Sequence, residues 1–139
     1  MNFVTFTVEE ANQLLPEIRP RMERLIRSKR AVEQLQDRIE VLTLAVAGAT
    51  KSNPDAQELG KLHDQRNTLA DSISKDITWI HGRGCVVKDL DQGLVDFYAL
   101  AGDRLVFLCW KLGENEVSHW HPLDGGYAQR QPLQTEHDD

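Results

Sequence analysis

Residues 104–112, RLVFLCWKL, decide how the chain folds. From Leu105 to Trp110 every side chain is apolar or a thiol, with no alternation between faces. The segment is short, rich in β-branched and aromatic residues, and set between the turn sequences AGD and GEN, which is the pattern of a strand. A strand that is apolar on both faces has to be covered on both. RLVFLCWKL is therefore read as the central strand of a sheet, with helices on one side and the chain's own tail or a partner on the other.

Working outward, CVVKDL (85–90), GLVDFYAL (93–100) and EVSHWHPL (116–123) share this composition and are separated by DQG, AGD and GEN turns. Together they predict a four-stranded antiparallel β-meander over about 84–123. Side chains alternate along a strand, so His119 and His121 project from one face and Ser118 and Trp120 from the other. If Gly113–Asn115 forms the hairpin tip, Cys109 lies across from His119, and Phe107 from His121. A slip of one residue puts Trp110 there instead. The first register gathers Cys109, His119 and His121, with Asp96, Glu114 or Asp124 as a neighbouring carboxylate. Nitrogen, sulfur and oxygen donors in this mix suit zinc or iron. As a nucleophile, Cys109 has only His119 for a base, and a cysteine in so apolar a strand is expected to be buried and inert.

Beyond the strands, Asp124-Gly125-Gly126-Tyr127 permits a sharp turn, and Arg130 follows. Backbone amides and a guanidinium can hold a carboxylate or phosphate. However, Pro132 and a polar tail follow instead of a helix N-terminus. The plainer expectation is that Tyr127 packs and Arg130 pairs with a carboxylate such as Asp96. The small-molecule candidates are thus Asp96, Glu114 and Arg130, and the metal candidates are His121, Cys109 and His119.

The first half of the chain has a different period. Thr7-Val8-Glu9-Glu10 matches a capping box, in which the Thr7 hydroxyl accepts from the Glu10 amide and the Glu10 carboxylate reaches back. Phe6 and Ala11 are placed for a weak hydrophobic staple. Val8, Ala11, Leu15, Ile18, Met22 and Leu25 follow at 3–4 spacing, and Val32, Leu35, Ile39, Leu42 and Val46 resume it after a slip at Ser28 and Lys29. Pro16 and Pro20 each remove a backbone donor, which predicts a kink or break. After the loop at AGATKSNPD, Asn53-Pro54 opens a second helix over about 54–80. Its seam is Leu59, Leu62, Arg66, Leu69, Ile73, Ile77 and Ile80, and His81-Gly82 ends it. Two such helices make an antiparallel hairpin over about 8–81. The first is longer than a small sheet can cover, so part of its seam is expected to meet a second copy of the chain, making a homo-oligomer (a dimer) through the long helices.

Composition narrows the function classes. A net charge of −6 argues against general affinity for nucleic acid or acidic membranes. The one basic cluster, RPRMERLIRSKR (19–30), has no interleaved aromatic residue for base stacking and runs directly into Glu33, Asp37 and Glu40. RNA or polyanion binding through it is kept as a third function, behind a solvated or intersubunit salt-bridging face. No apolar run reaches a membrane span, the start MNFVTFTVEE lacks a signal peptide's pattern, and two cysteines are too few for a disulfide framework. These features lead to an expected cytoplasmic protein of one α+β domain over 1–133, with a closing segment at 124–133 and a flexible tail at 134–139.

Four stretches in combination resemble the uncharacterised bacterial domain-of-unknown-function family 2203: FTVEEANQLLPEIRP (6–20), VKDLDQGLVDFYAL (87–100), LCWKLGE (108–114) and HWHPLDGGYAQRQPL (119–133). The family's pattern favours a tyrosine before WH and a proline after LVDF. His119 and Tyr98 depart from it, so the resemblance favours His121 over His119 as a ligand. It implies no reaction. The expected fold is a long helical hairpin packed against the meander. The expected function is non-enzymatic oligomeric binding or assembly, with a small-ligand or metal site at the sheet end. The alternative is a metal-dependent, hydrolase-like enzyme using the same site.

Overall fold

The computed structural model describes residues 4–133; the predicted tail at 134–139 lies outside the described residues. The element order is α1 (Val8–Ala45), α2 (Pro54–Gly82), β1 (Cys85–Asp89), β2 (Leu94–Ala101), β3 (Arg104–Lys111), β4 (His119–Pro122), a 3-10 turn (Tyr127–Gln129) and β5 (Gln131–Pro132). Contacts divide the chain into two compact units, one of Arg24–Asp76 and the other of the residues on either side, up to Glu23 and from Ile77.

Within Arg24–Asp76 the two helices form the antiparallel hairpin. Cross-helix partners run in opposite directions along the chain: Arg24 with Asp76, Gln36 with Arg66, and Arg38 with Glu58. Leu25, Ile39 and Leu42 are buried on the seam, and so is Ser28. The predicted slip therefore leaves a small polar residue inside the seam and does not shift it. The Arg24 guanidinium makes two bonds to the Asp76 carboxylate, at 2.7 and 2.6 Å, and Asp76 is buried. Such a fork-to-fork pair supplies the partner a buried carboxylate needs.

In the other unit, α1 begins at its capping box: Thr7 N–H donates to Glu10 Oε1 at 2.9 Å, and Glu10 N–H to Thr7 Oγ1 at 3.1 Å. Phe6 packs edge-on against Phe97, with ring centroids 5.4 Å apart, anchoring the helix start to the sheet. Pro16 and Pro20 do not break α1, which continues to Ala45. Both prolines are exposed, while Ala11, Leu15, Ile18 and Met22 form the buried stripe. The carbonyls that lose a donor are thus on the side open to solvent, which can supply one. At the far end, α2 leads into β1 through Gly84, which has a φ of 92° and would bring an added Cβ to 2.8 Å from Val4 Cβ.

The sheet has five antiparallel strands in chain order, not four, with β3 in the centre as its two-faced apolarity predicts. β5 pairs His119 with Pro132 and Trp120 with Gln131. A two-residue strand, one residue of which is proline, has no alternation to read from sequence, and its proline leaves an edge that lacks a donor. The register is the first of the two expected: Cys109 opposite His119, and Phe107 opposite His121. Phe97, Leu108 and Trp120 are cross-strand partners on one face. There α1 is tied to the sheet by Asn12 Oδ1, which accepts from the Val117 amide at 2.7 Å, and by the Arg19 guanidinium over Trp110. Asp96, Cys109, His119 and His121 therefore share the opposite face. Among the described residues, no helix is long and apolar enough to cross a membrane.

Candidate metal centre

Asp96 and Cys109 are direct partners across β2 and β3. His121 comes from β4, one row further along, with its ring 5.4 Å from that of Phe107. The imidazole spans the central strand, so that His121 Nε2 lies 2.9 Å from Asp96 Oδ2. A donor atom from each of Asp96, Cys109 and His121 lies within 4.8 Å of the other two. Their relative exposures are 0%, 0% and 1%, so water does not set their chemistry.

The hydrogen bonds fix much of the proton inventory. His121 Nδ1 lies 2.8 Å from the Pro122 carbonyl oxygen. A carbonyl only accepts, so Nδ1 carries a proton and donates. Nε2 and Asp96 then share one further proton: either a carboxylic acid donates to a neutral imidazole, or an imidazolium donates to a carboxylate. Burial pushes the Asp96 carboxyl up, partly offset by His121, Cys109 and Lys88, and this favours the first, uncharged arrangement. Asp96 Oδ1 is buried and makes no hydrogen bond of good geometry; the weakly donating Cys109 thiol is the group beside the carboxyl. Burial pushes the Cys109 thiol up to about 12.

These facts weigh against nucleophilic catalysis. The thiol is held protonated, and the imidazole nitrogen that would serve as its base is engaged with Asp96. They fit a metal ion well. The Nδ1–H···O=C bond leaves the Nε2 lone pair directed at the cluster, as for a histidine ligand oriented by a backbone carbonyl. A divalent ion with one thiolate, one carboxylate and one neutral imidazole has no net charge, which removes the main cost of burying it. The ion would also give Asp96 a partner and overturn the proton preference of Cys109.

The other predicted site residues form a neighbouring, more open group. Arg130 Nη2 donates to Glu114 Oε1 at 2.6 Å and to the Cys109 carbonyl at 3.2 Å. Arg130 thus pairs with Glu114 and not with Asp96, whose Oδ2 faces His121. The Lys111 amide also donates to Glu114 Oε1, at 2.7 Å. His119 Nδ1 lies 3.6 Å from Glu114 Oε2 and 3.0 Å from Ser118 Oγ, outside the buried cluster. Burial opposes the Arg130 charge, but its bond to the Glu114 carboxylate outweighs this, and its pKa is raised. Asp124 is exposed and takes no part, and Tyr127 lies on the surface with Lys111 and Arg130 against its ring. Sequence reasoning missed the Pro122 carbonyl, whose only signal was its place directly after His121.

No curated protein and no solved structure matches the chain. The family described as an uncharacterised conserved protein, DUF2203, matches residues 4–133, and the chain belongs to it.

Proposed function

We propose that this protein is a non-enzymatic, cytoplasmic binding and assembly protein that holds one zinc or iron ion between Asp96, Cys109 and His121. The observation that carries this reading is the His121 Nδ1 bond to Pro122. It aims Nε2 into a cluster where a buried carboxylate oxygen lacks a hydrogen bond of good geometry and a thiol lies within 4.8 Å. Three donors leave a fourth position, as in catalytic zinc sites, but with all three 0–1% exposed no substrate reaches it, and this favours a structural ion over the alternative, a metal-dependent hydrolase. Two buried, unpaired cysteines suit a reducing compartment.

Assembly through the long helices rests on the hairpin of Arg24–Asp76. Val32, Leu35, Leu62, Leu69 and Ile73 are only half-buried there, and Val41 and Leu44 are exposed. Along α1 Arg27 and Arg30 give way to Asp37 and Glu40, with Lys29 paired to Glu33 and Arg38 to Glu58, so a second copy lying antiparallel meets opposite charge. The same basic stretch is less suited to RNA: Arg19 lies over Trp110, Arg21 stacks 3.7 Å from the Trp79 centroid, and Arg24 is held by Asp76. Elemental analysis of untagged protein tests the site: stoichiometric zinc or iron that is lost in His121→Ala is expected, and metal-free wild type overturns it. Light scattering at micromolar concentration tests assembly, and a monomer refutes it.

A further inference from the structure

A site whose donors are 0–1% exposed poses the problem of how an ion gets in. The neighbouring group offers a route. Glu114 and His119 side chains are 24% and 29% exposed, their donor atoms are 3.6 Å apart, and His119 lies directly across the sheet from Cys109. His119 presents its donor on the same sheet face as the buried cluster, and Glu114 reaches it from the turn after β3. Arg130 touches both sets, through the Glu114 carboxylate and the Cys109 backbone. Its side chain is 9% exposed, its Nε is buried without a hydrogen-bond partner, and it is held by the Glu114 carboxylate and the Cys109 carbonyl.

We propose that a divalent metal ion reaches the buried donors by way of Glu114 and His119, which bind it first, and that Arg130 bolts this route shut. The proposal rests on the metal site proposed above. A dication on Glu114 takes the carboxylate from Arg130 and repels the guanidinium, which has no other charged partner among the described contacts. Arg130 swings outward on the exposed turn at 127–129, and the ion exchanges Glu114 and His119 for Cys109, Asp96 and His121, whose displaced protons pass to water. With the ion seated and the site neutral, Arg130 returns to Glu114.

Groups that act on the route and not at its end change loading and release together. Cobalt(II) is the probe, since thiolate coordination gives it a charge-transfer band, read by stopped flow for loading and with excess chelator for release. In His119→Ala both rates fall about tenfold. In Arg130→Met, which keeps the aliphatic bulk, both rise on the order of ten- to a hundredfold through loss of the charge-assisted bond to Glu114. Wild-type rates in either variant overturn the proposal. Faster release alone in His119→Ala also overturns it, because His119 would then be a permanent ligand. If wild-type protein gives no thiolate–cobalt band, the metal site itself fails, and the route with it.

Discussion

Asp96 tests the site most sharply, because two substitutions there separate its hydrogen bond to His121 from its proposed role as metal ligand. Asp96→Ala leaves His121 Nε2 buried without a partner. That costs roughly 1–3 kcal/mol for the unmet group, and the void left by the carboxyl adds about 1 kcal/mol. Asp96→Asn behaves differently. With Nδ1–H committed to the Pro122 carbonyl, Nε2 is an acceptor, and an asparagine amide can donate to it across the same 2.9 Å contact. Metal-free Asp96→Asn is therefore expected within about 1 kcal/mol of wild type. As a ligand, the neutral amide fails: the complex gains a net positive charge in a site of 0–1% exposure, and affinity falls by about a hundredfold or more.

Urea unfolding with and without zinc reads both effects. At zinc a hundredfold above the wild-type Kd, binding to the native state adds about 2.7 kcal/mol to wild type. A hundredfold weaker site adds only about 0.4 kcal/mol under the same conditions. Two outcomes refute the reasoning. If metal-free Asp96→Asn is as unstable as Asp96→Ala, the shared proton sits on His121 and the pair is charged. If Asp96→Asn keeps the full zinc shift, Asp96 is no ligand.

Zinc binding is expected to release about two protons near neutral pH, wherever the shared proton sits, because both the Asp96–His121 pair and the Cys109 thiol must give one up. Affinity therefore falls about a hundredfold for each unit of pH lowered while both remain protonated, and calorimetry in buffers of different ionisation enthalpy counts the protons. Cys85 gives a separate alkaline signature: burial pushes its thiol from 9.0 to about 12. Below pH 9 both states are protonated and nothing changes. Above it the unfolded thiol ionises first, and stability falls by about 1.4 kcal/mol per pH unit towards 12. Melting curves of Cys85→Ala should be flatter over that range than those of wild type. In Arg24→Ala the carboxylate of Asp76 stays buried without its partner, at a cost of about 2 kcal/mol in urea unfolding.

What the sequence made legible is what rests on period and local chemistry. The doubly apolar β3, the capping box at Thr7–Glu10 and the proline-led start of α2 each have one strong physical reading, and each stands in the structure. The effect of Pro16 and Pro20 was not legible. Whether a proline breaks a helix depends on where the orphaned carbonyl points, and that is known only once the buried face is known. β5 was missed because it consists of backbone pairing with β4, a tertiary event with no side-chain pattern of its own.

The site shows the same division. Period 2 placed His119 and His121 on one face and tied the register to the hairpin tip, yet it treated the two imidazoles as equivalents. They differ because β4 pairs His121 with Phe107, a row away from Cys109, so its imidazole has room to lean across β3 and meet Asp96. His119, directly opposite Cys109, turns to Glu114 and Ser118 at the more open rim. Asp96 carried its own signal, an acid inside the apolar run GLVDFYAL on a strand that proves buried at every position from Leu94 to Phe97. A protein that needed only a stable sheet would be better served by an apolar side chain there, since burying a carboxyl costs free energy unless every lone pair is met. Here Oδ1 has at most the weakly donating Cys109 thiol. Stability alone does not account for keeping an acid, a thiol and an imidazole together in so dry a place, and that is the ground on which a cation is proposed there.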